Sequence, residues 1–235
     1  MRQVVLDTET TGMIRGSKTP EDGHRIIEVG IVEIIDRRLT GNDFQAYLDP
    51  ERKIDPVTIP IHGITDEDAS GKPKFSEILN EFIDFIEGAE VIMHNAFFDS
   101  RFINQELKLL GYKDRLEDLC QITDSLNIAR EKHPGQRNTL DALISRYEVD
   151  GSSRVLHGAL IDAKLLARVY LLMTGGQVGF FSKDETTESS IDSAAKRFDY
   201  SERKVMHVVP SKEQKESHKT YMDKLSKASN KKLNW

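Results

Sequence analysis

The chain has a single cysteine, Cys120, in 235 residues. One thiol builds neither an intrachain disulfide nor a cysteine-based zinc cluster, and a reducing cytoplasm is the expected compartment. Long hydrophobic runs are also missing. No stretch of about 18 apolar residues occurs, which excludes a membrane-spanning helix. The opening MRQVVLDTET runs straight into strand-like sequence, without the apolar region and small-residue cleavage site of a secretory signal. Nor is there an excess of positive charge, since the formal net charge is −6. The distribution is uneven. Residues 177–235 carry 12 Lys and Arg against 9 Asp and Glu, which leaves 21 against 30 in the first 176. So acidic a body argues against tight nonspecific duplex binding through counterion release. It permits an enzyme that grips a strand end through metal ions, and equally one held on DNA by partners. No internal repeats are visible.

The length allows one well-packed domain and an appendage. Periodicity in the first 175 residues reads as α/β. Gln3–Leu6, Ile26–Ile35 and Phe44–Leu48 are strand-like and would form an antiparallel meander, with the turn-rich Leu39-Thr-Gly-Asn-Asp linking the last two. Glu90–Met93 is a further short buried strand. Helical spacing covers Lys74–Ile86, with Phe75, Ile78, Leu79, Phe82, Ile83 and Ile86 on one stripe. Helices are also expected at Ser100–Leu110, stopped by Gly111, at Leu126–Ala129 and Thr139–Tyr147, and at Leu160–Met173 before Thr174-Gly-Gly. Beyond this the composition changes. Ser182–Ser193 is rich in Ser, Thr, Asp and Glu and reads as a flexible linker. Three segments are therefore expected: a body over 1–176, a linker over 177–203 and a tail over 204–235 with too few apolar residues to fold alone.

Five residues of the body carry candidate chemistry. Asp7 and Glu9 are two positions apart at a strand end, so both carboxylates project to one face. Two acids there repel unless a cation lies between them, and carboxylate oxygens suit Mg²⁺ or Mn²⁺ rather than zinc. Taken alone, the pair also reads as turn-forming acids. Asp99 follows Val91–Phe98 at a strand-to-helix passage, where capping the next helix is the alternative reading. His157 and Asp162 lie five positions apart, which on one helix would separate them by roughly 140°. His157 is therefore expected in the loop before the helix, beside Gly158, with Asp162 pointing inward from the first turns. An inward Asp on an apolar helix needs compensation, and a metal ion supplies it. A surface Asp and a loop His are the alternative.

The segments Asp7-Thr-Glu-Thr-Thr-Gly, His94-Asn-Ala-Phe-Phe-Asp and His157-Gly-Ala-Leu-Ile-Asp together resemble the DEDD exonuclease superfamily, in the subclass with a catalytic histidine. The tyrosine subclass would place Tyr where Gly158 stands. Ile61-His-Gly-Ile, Gln136-Arg-Asn-Thr-Leu-Asp-Ala-Leu and Tyr170-Leu-Leu-Met-Thr-Gly-Gly narrow the resemblance to the epsilon, or proofreading, subunit family of bacterial DNA polymerase III. The similarity runs to about Phe181 and resumes from Met206 to Trp235.

This resemblance implies a ribonuclease H-like α/β fold: a mixed five-stranded sheet flanked by helices, followed by a flexible C-terminal tail. It implies that Asp7, Glu9, Asp99 and Asp162 hold two divalent ions, Mg²⁺ or Mn²⁺, which stabilise the attacking and leaving oxygens of an in-line displacement. His157 would be the general base, and nucleoside 5′-monophosphates would leave one at a time. Substrate contacts would come from Thr10, Thr11, His62, His94 and Phe98. Phe98 would stack on a base without regard to sequence, although core packing also explains it. The partners implied are a single-stranded DNA 3′ end, the polymerase catalytic (alpha) subunit and the sliding clamp, and the resemblance leaves room for a small accessory subunit. Gln177, Phe180 and Phe181 would reach the clamp. Tyr221, Leu225 and Trp235 would anchor the tail on the polymerase subunit. Two rivals stand beside this reading: an RNA-trimming exonuclease of the same superfamily, and a replication adaptor without catalysis.

Overall fold

The computed structural model describes residues 1–175 apart from 153 and 155, together with 212 and 216. It divides into two compact units, Met1–Ser182 and Lys183–Trp235. Lys212 and Glu216 of the second unit are helical. Linker and tail assignments, including Gln177, Phe180, Phe181, Tyr221, Leu225 and Trp235, fall outside the described residues.

The first unit begins with a meander of β1 (Arg2–Thr10), β2 (Ile26–Ile35) and β3 (Arg38–Tyr47). The short helices α1 (Ile59–His62) and α2 (Asp66–Ala69) precede α3 (Phe75–Ile86), β4 (Glu90–Met93) and α4 (Ala96–Leu109). The chain continues through α5 (Leu116–Leu119), β5 (Gln121–Asp124), α6 (Ser125–Lys132), α7 (Leu140–Arg146) and α8 (Ala159–Thr174). The sheet is five-stranded and mixed, in the order β3-β2-β1-β4-β5. β1 pairs antiparallel with β2 and parallel with β4, and β4 pairs parallel with β5. No helix among the described residues is long and apolar enough to cross a membrane.

Alternation along β1 explains the two-sided core. Val4 and Leu6 pack with Phe75, Phe82, Ile86, Phe102 and Ile103 of α3 and α4. Val5 faces the other way, toward Ala163, Leu166, Val169 and Tyr170 of α8. β2 is buried on both faces, which is why its sequence is a nearly unbroken apolar run.

Several expectations need correcting. Leu39-Thr-Gly-Asn-Asp is not the hairpin turn but lies within β3. The turn is Asp36-Arg37, both left-handed at φ 48° and 62°. A two-residue turn with positive φ at both positions matches the twist of the flanking strands, so the shorter loop wins. α4 starts at Ala96 rather than Ser100, because Asn95 takes φ 70° and turns β4 directly into the helix. Asp99 is therefore inside the first turn and is not an N-cap. β1 runs past the apolar Gln3–Leu6 through the polar Asp7–Thr10, so Asp7 and Glu9 stand on the strand end where alternation placed them. β5, α1, α2 and α5 are each four residues long, too short for periodicity to announce.

Candidate active site

Continuing the β1 alternation from Val5 puts Asp7 and Glu9 on the α8 side at the carboxyl end of the strand. That is also the end at which the neighbouring parallel strand β4 passes into α4, and such strand ends are the usual ligand crevice of open α/β sheets. α8 is held close by two features of β2. A Cβ on Gly30, the register partner of Asp7, would lie 2.1 Å from the backbone nitrogen of Leu160, so only glycine lets the helix approach. The buried Glu28 accepts a hydrogen bond from the backbone N–H of Ala159 at 3.0 Å. Asp162, in the first turn of α8, is consequently delivered toward β1 with only 3% of its surface exposed.

Asp99 is equally buried at 3% and accepts a hydrogen bond from the Thr8 hydroxyl at 2.7 Å. His157 sits in the loop before α8. Its Nδ1 lies 3.0 Å from Asp162 Oδ2, and its backbone N–H donates to the Ile61 carbonyl at 3.0 Å. Glu9, His157 and Asp162 offer donor atoms that all lie within 4.8 Å of one another. The structure thus brings together all five residues singled out for chemistry.

The electrostatics follow from that crowding. Burial pushes the Asp7 carboxyl well above the usual carboxylate range, and Asp99, Glu9, Asp162 and Glu28 push it further. Burial, followed by the charges of Asp162, Glu28 and Asp99, raises Glu9 to about 8, with Arg154 opposing. Burial raises Asp99 to about 7, against the lowering effect of the Thr8 hydrogen bond. A group of carboxylates this unfavourable in charge is stable when a cation sits among them. The four carboxylates offer only oxygen donors, and Asp162 Oδ1 is buried without a directed hydrogen-bond donor. A hard divalent ion such as Mg²⁺ or Mn²⁺ fits such a set, whereas thiolate chemistry does not. Cys120 is partly buried and its thiol is raised to about 11 by that burial, so it is no nucleophile.

The positions expected to contact substrate vary in placement. His62 is 7% exposed, and its Nδ1 accepts from the Ile64 N–H at 3.0 Å. The proton must therefore be on Nε2, which has no partner. Burial, then the charge of His157, lowers the His62 pKa, so the ring is a neutral donor beside His157. Thr11 is fully buried, with its hydroxyl accepting from Arg25 N–H at 3.0 Å and lying 3.3 Å from His24 Nδ1. The Thr10 hydroxyl donates to the Gly12 carbonyl at 3.1 Å. Both threonines brace the turn after β1 in this structure. Both ring nitrogens of His94 are engaged within the protein, by the Ser125 hydroxyl at 3.0 Å and the Asn138 carbonyl at 2.8 Å. Phe98 leans on Phe102 with ring centroids 4.8 Å apart.

Glu28, Thr8, Gly30 and Arg154 also shape the site, and none was anticipated from sequence. Glu28 was hidden in an apolar run, where it is one of two acids with Glu33, and only the strand register sets it opposite Glu9. A cleft of about 320 Å³ opens beside His157, lined by Pro60, Ile61, Arg154 and Leu156. A larger concavity of about 840 Å³ runs along α4 past Glu21, Arg101 and Tyr112. It holds none of the clustered acids, so the chemistry rather than the volume locates the site.

Comparison with known proteins gives a consistent picture. The exonuclease (RNase_T) family model matches residues 4–170. The DNA polymerase III subunit epsilon of Salmonella typhimurium is 47% identical over 229 residues, covering 96% of this chain and 94% of that protein. The Escherichia coli K12 subunit is 46% identical over the same length, and the Pasteurella multocida subunit is 53% identical over 184 residues, covering 78% of this chain and 72% of its own. Among solved structures, exonuclease X in complex with 5′ overhanging duplex DNA superposes with a TM-score of 0.57 at 22% identity, covering 74% of this chain and 92% of its own. The nuclease domain of 3′hExo, described as a DEDDh family member bound to rAMP, gives 0.59 at 23% identity, covering 73% of this chain and 90% of its own. At these identities the structural likeness speaks for the fold.

Proposed function

This chain belongs to the exonuclease family, among the epsilon subunits of DNA polymerase III, and from that premise we propose that its acid cluster removes nucleotides from DNA 3′ ends to proofread replication. The observation that carries the reading is the convergence of Asp7, Glu9, Asp99 and Asp162, from three separate stretches of chain, with His157 at 3.0 Å from Asp162. Asp7, Glu9, Asp99 and Asp162 would hold the divalent ions. Bound divalent ions supply Lewis acidity that activates water and offsets charge on the transferring phosphoryl group. His157 is 43% exposed at its side chain and turns Nδ1 toward Asp162; with Nδ1–H donating to that carboxylate, Nε2 would be free to take the proton of the attacking water. The Nε2–H of His62, buried and without a partner, would donate to a substrate oxygen that reaches it. Thr10, Thr11, His94 and Phe98 would shape the pocket behind it.

His157→Ala is expected to lower turnover on a 3′-labelled DNA strand by about 10²–10⁴-fold, the usual share of a general base, while divalent-ion affinity by calorimetry stays within about twofold of wild type. Unchanged turnover, or loss of ion binding, would show that His157 is not the base. Running the assay in parallel on strands with and without a terminal 2′-hydroxyl separates DNA proofreading from RNA trimming. A strong preference for the ribose end would favour the second reading.

The partners remain part of this proposal. The linker 177–203 would tether the body, residues 177–181 would reach the sliding clamp through Gln177, Phe180 and Phe181, and the tail 204–235 would dock on the polymerase catalytic subunit in the cytoplasm. What supports this is sequence. Phe180 and Phe181 precede a polar stretch of sequence, Tyr221 and Leu225 have the four-residue spacing that a helix would put on one side, and Trp235 comes shortly after Lys231-Lys232. Deleting 204–235 should leave single-strand digestion intact and abolish co-elution with the catalytic subunit. Gln177→Ala with Phe181→Ala should weaken clamp binding at least about tenfold, as expected for lost anchor residues. Co-elution of the truncated chain at comparable affinity would move the docking site elsewhere.

A further inference from the structure

Among the described residues, the one Lys or Arg paired with the clustered acids is Arg154, on the loop just before His157. Its side chain is 11% exposed. Nε lies 2.5 Å from Asp162 Oδ1 and Nη2 lies 2.8 Å from Asp162 Oδ2, so the fork spans both oxygens of one carboxylate. Nη1 reaches Asp141, at the start of α7. This pairing is close without being well made. The Nε and Oδ1 atoms are buried and in contact, yet their angle does not make a hydrogen bond, and neither has another directed partner. Nη2 also lies 2.7 Å from His157 Nδ1, which itself lies 3.0 Å from Asp162 Oδ2. Nδ1 of a neutral imidazole either accepts from Arg154 or donates to Asp162; it does not do both.

We propose that Arg154 is a displaceable internal counter-ion: it occupies Asp162 when no divalent ion is bound, and it is exchanged for the ion when the site loads. This rests on the assignment of Asp162 as a metal ligand. Three features of the contact point to exchange. While a guanidinium sits against both its oxygens, Asp162 has fewer lone pairs to direct at a divalent ion and meets that ion with a positive charge already beside it. The Oδ1 contact is the badly angled one, so the oxygen most readily surrendered is already short of a directed donor. Arg154 has Asp141 as a second acceptor and borders the open cleft of Pro60, Ile61 and Leu156, so the guanidinium has somewhere to go without leaving a buried unpaired charge. Release has a consequence for the neighbouring ring. With Arg154 engaged, Nδ1 is an acceptor and the proton sits on Nε2, the wrong nitrogen for a base. With Arg154 withdrawn, Nδ1–H donates to Asp162 and Nε2 becomes the acceptor. Arg154 is thus a positioning residue that holds the empty site together in a resting form.

Removing a competitor predicts tighter ion binding in a less stable empty protein. In the full-length protein, Arg154→Met should bind Mn²⁺ about tenfold more tightly than wild type by calorimetry, the scale of one charged hydrogen-bonded contact given up on exchange. Its metal-free melting temperature should fall, so the stabilisation seen on adding Mn²⁺ widens. Arg154→Lys, which keeps the charge but not the two-oxygen fork, should land between the two, and it carries the test if Arg154→Met does not fold. Nitrogen-15 spectra of the metal-free wild type should show neutral His157 protonated at Nε2, and those of Arg154→Met should show Nδ1. Equal or weaker Mn²⁺ affinity in both variants would overturn the proposal and leave Arg154 a structural prop. Unchanged affinity in Asp162→Asn would instead show that the carboxylate assignment beneath it is at fault.

Discussion

Replacing Asp7 by alanine is expected to abolish strand cleavage while leaving the metal-free fold as stable as before, or more stable. Asp7 sits at the centre of the cluster, where Asp99, Glu9, Asp162 and Glu28 all raise its carboxyl after burial has done so first. A carboxylate placed so badly for its own ionisation is costly to the empty protein and useful only with a cation beside it. Its loss should lower the cleavage rate by about 10³-fold or more, which is what losing several kcal/mol of charge stabilisation at the reacting phosphoryl group implies. β1 is otherwise anchored by Val4, Val5 and Leu6, all fully buried, so little packing depends on Asp7. Circular dichroism melting and single-turnover cleavage on the same sample decide the matter. Retained cleavage would remove Asp7 from the machinery, and a fall in metal-free melting temperature would make it a structural residue instead.

Without divalent ions, the protein should lose stability as pH rises from about 4 to about 8, and saturating Mg²⁺ should remove most of that slope. The acids concerned have folded-state pKa values above their ordinary ones, about 7 against 3.8 for Asp99 and about 8 against 4.5 for Glu9. In that window the folded chain holds protons that the unfolded chain has released. Stability is therefore full below the ordinary values and declines until the folded values are passed. An ion bound to the ionised carboxylates of the folded state reverses the effect, because it favours the deprotonated native form. The expected fall in metal-free melting temperature is roughly 5–10 °C across the window. A flat or rising profile without metal would mean that the acids are not buried together as described. Asp7→Ala should show a shallower slope than wild type.

The sequence disclosed the acids more readily than the scaffold that aims them. Asp7, Glu9, Asp99, His157 and Asp162 stood out because each breaks a local apolar pattern at the end of an element, and elements are most legible where patterning is regular. β2 and β4 were read with their observed bounds for the same reason: both are apolar runs closed by turn residues. Long elements with polar ends were read short. The apolar run of β1 stops at Leu6, and its polar end over Asp7–Thr10 was legible only through the alternation of Asp7 and Glu9, while α4 lost its first turn because Asn95 enters it through a left-handed conformation that only the fold reveals. What stayed hidden was tertiary. Gly30 looks like any glycine until α8 is found lying on it. Glu28 looks like a strand residue until its carboxylate is seen to hold Ala159. Arg154 falls in a polar loop with no periodicity at all, and its meaning depends on the position of Asp162 eight residues later.

The central claim is that these carboxylates, loaded with divalent ions, cut single nucleotides from a DNA 3′ end. The most direct measurement is a time course on one single-stranded oligonucleotide, labelled in separate samples at its 5′ and 3′ ends, with Mg²⁺ or with a chelator, and with the released product identified by mass spectrometry. The account predicts a descending ladder from the 5′-labelled strand, immediate loss of a labelled nucleoside 5′-monophosphate from the 3′-labelled one, and neither in chelator. Shortening from the 5′ end, release of oligonucleotides, or digestion that persists in chelator would contradict it.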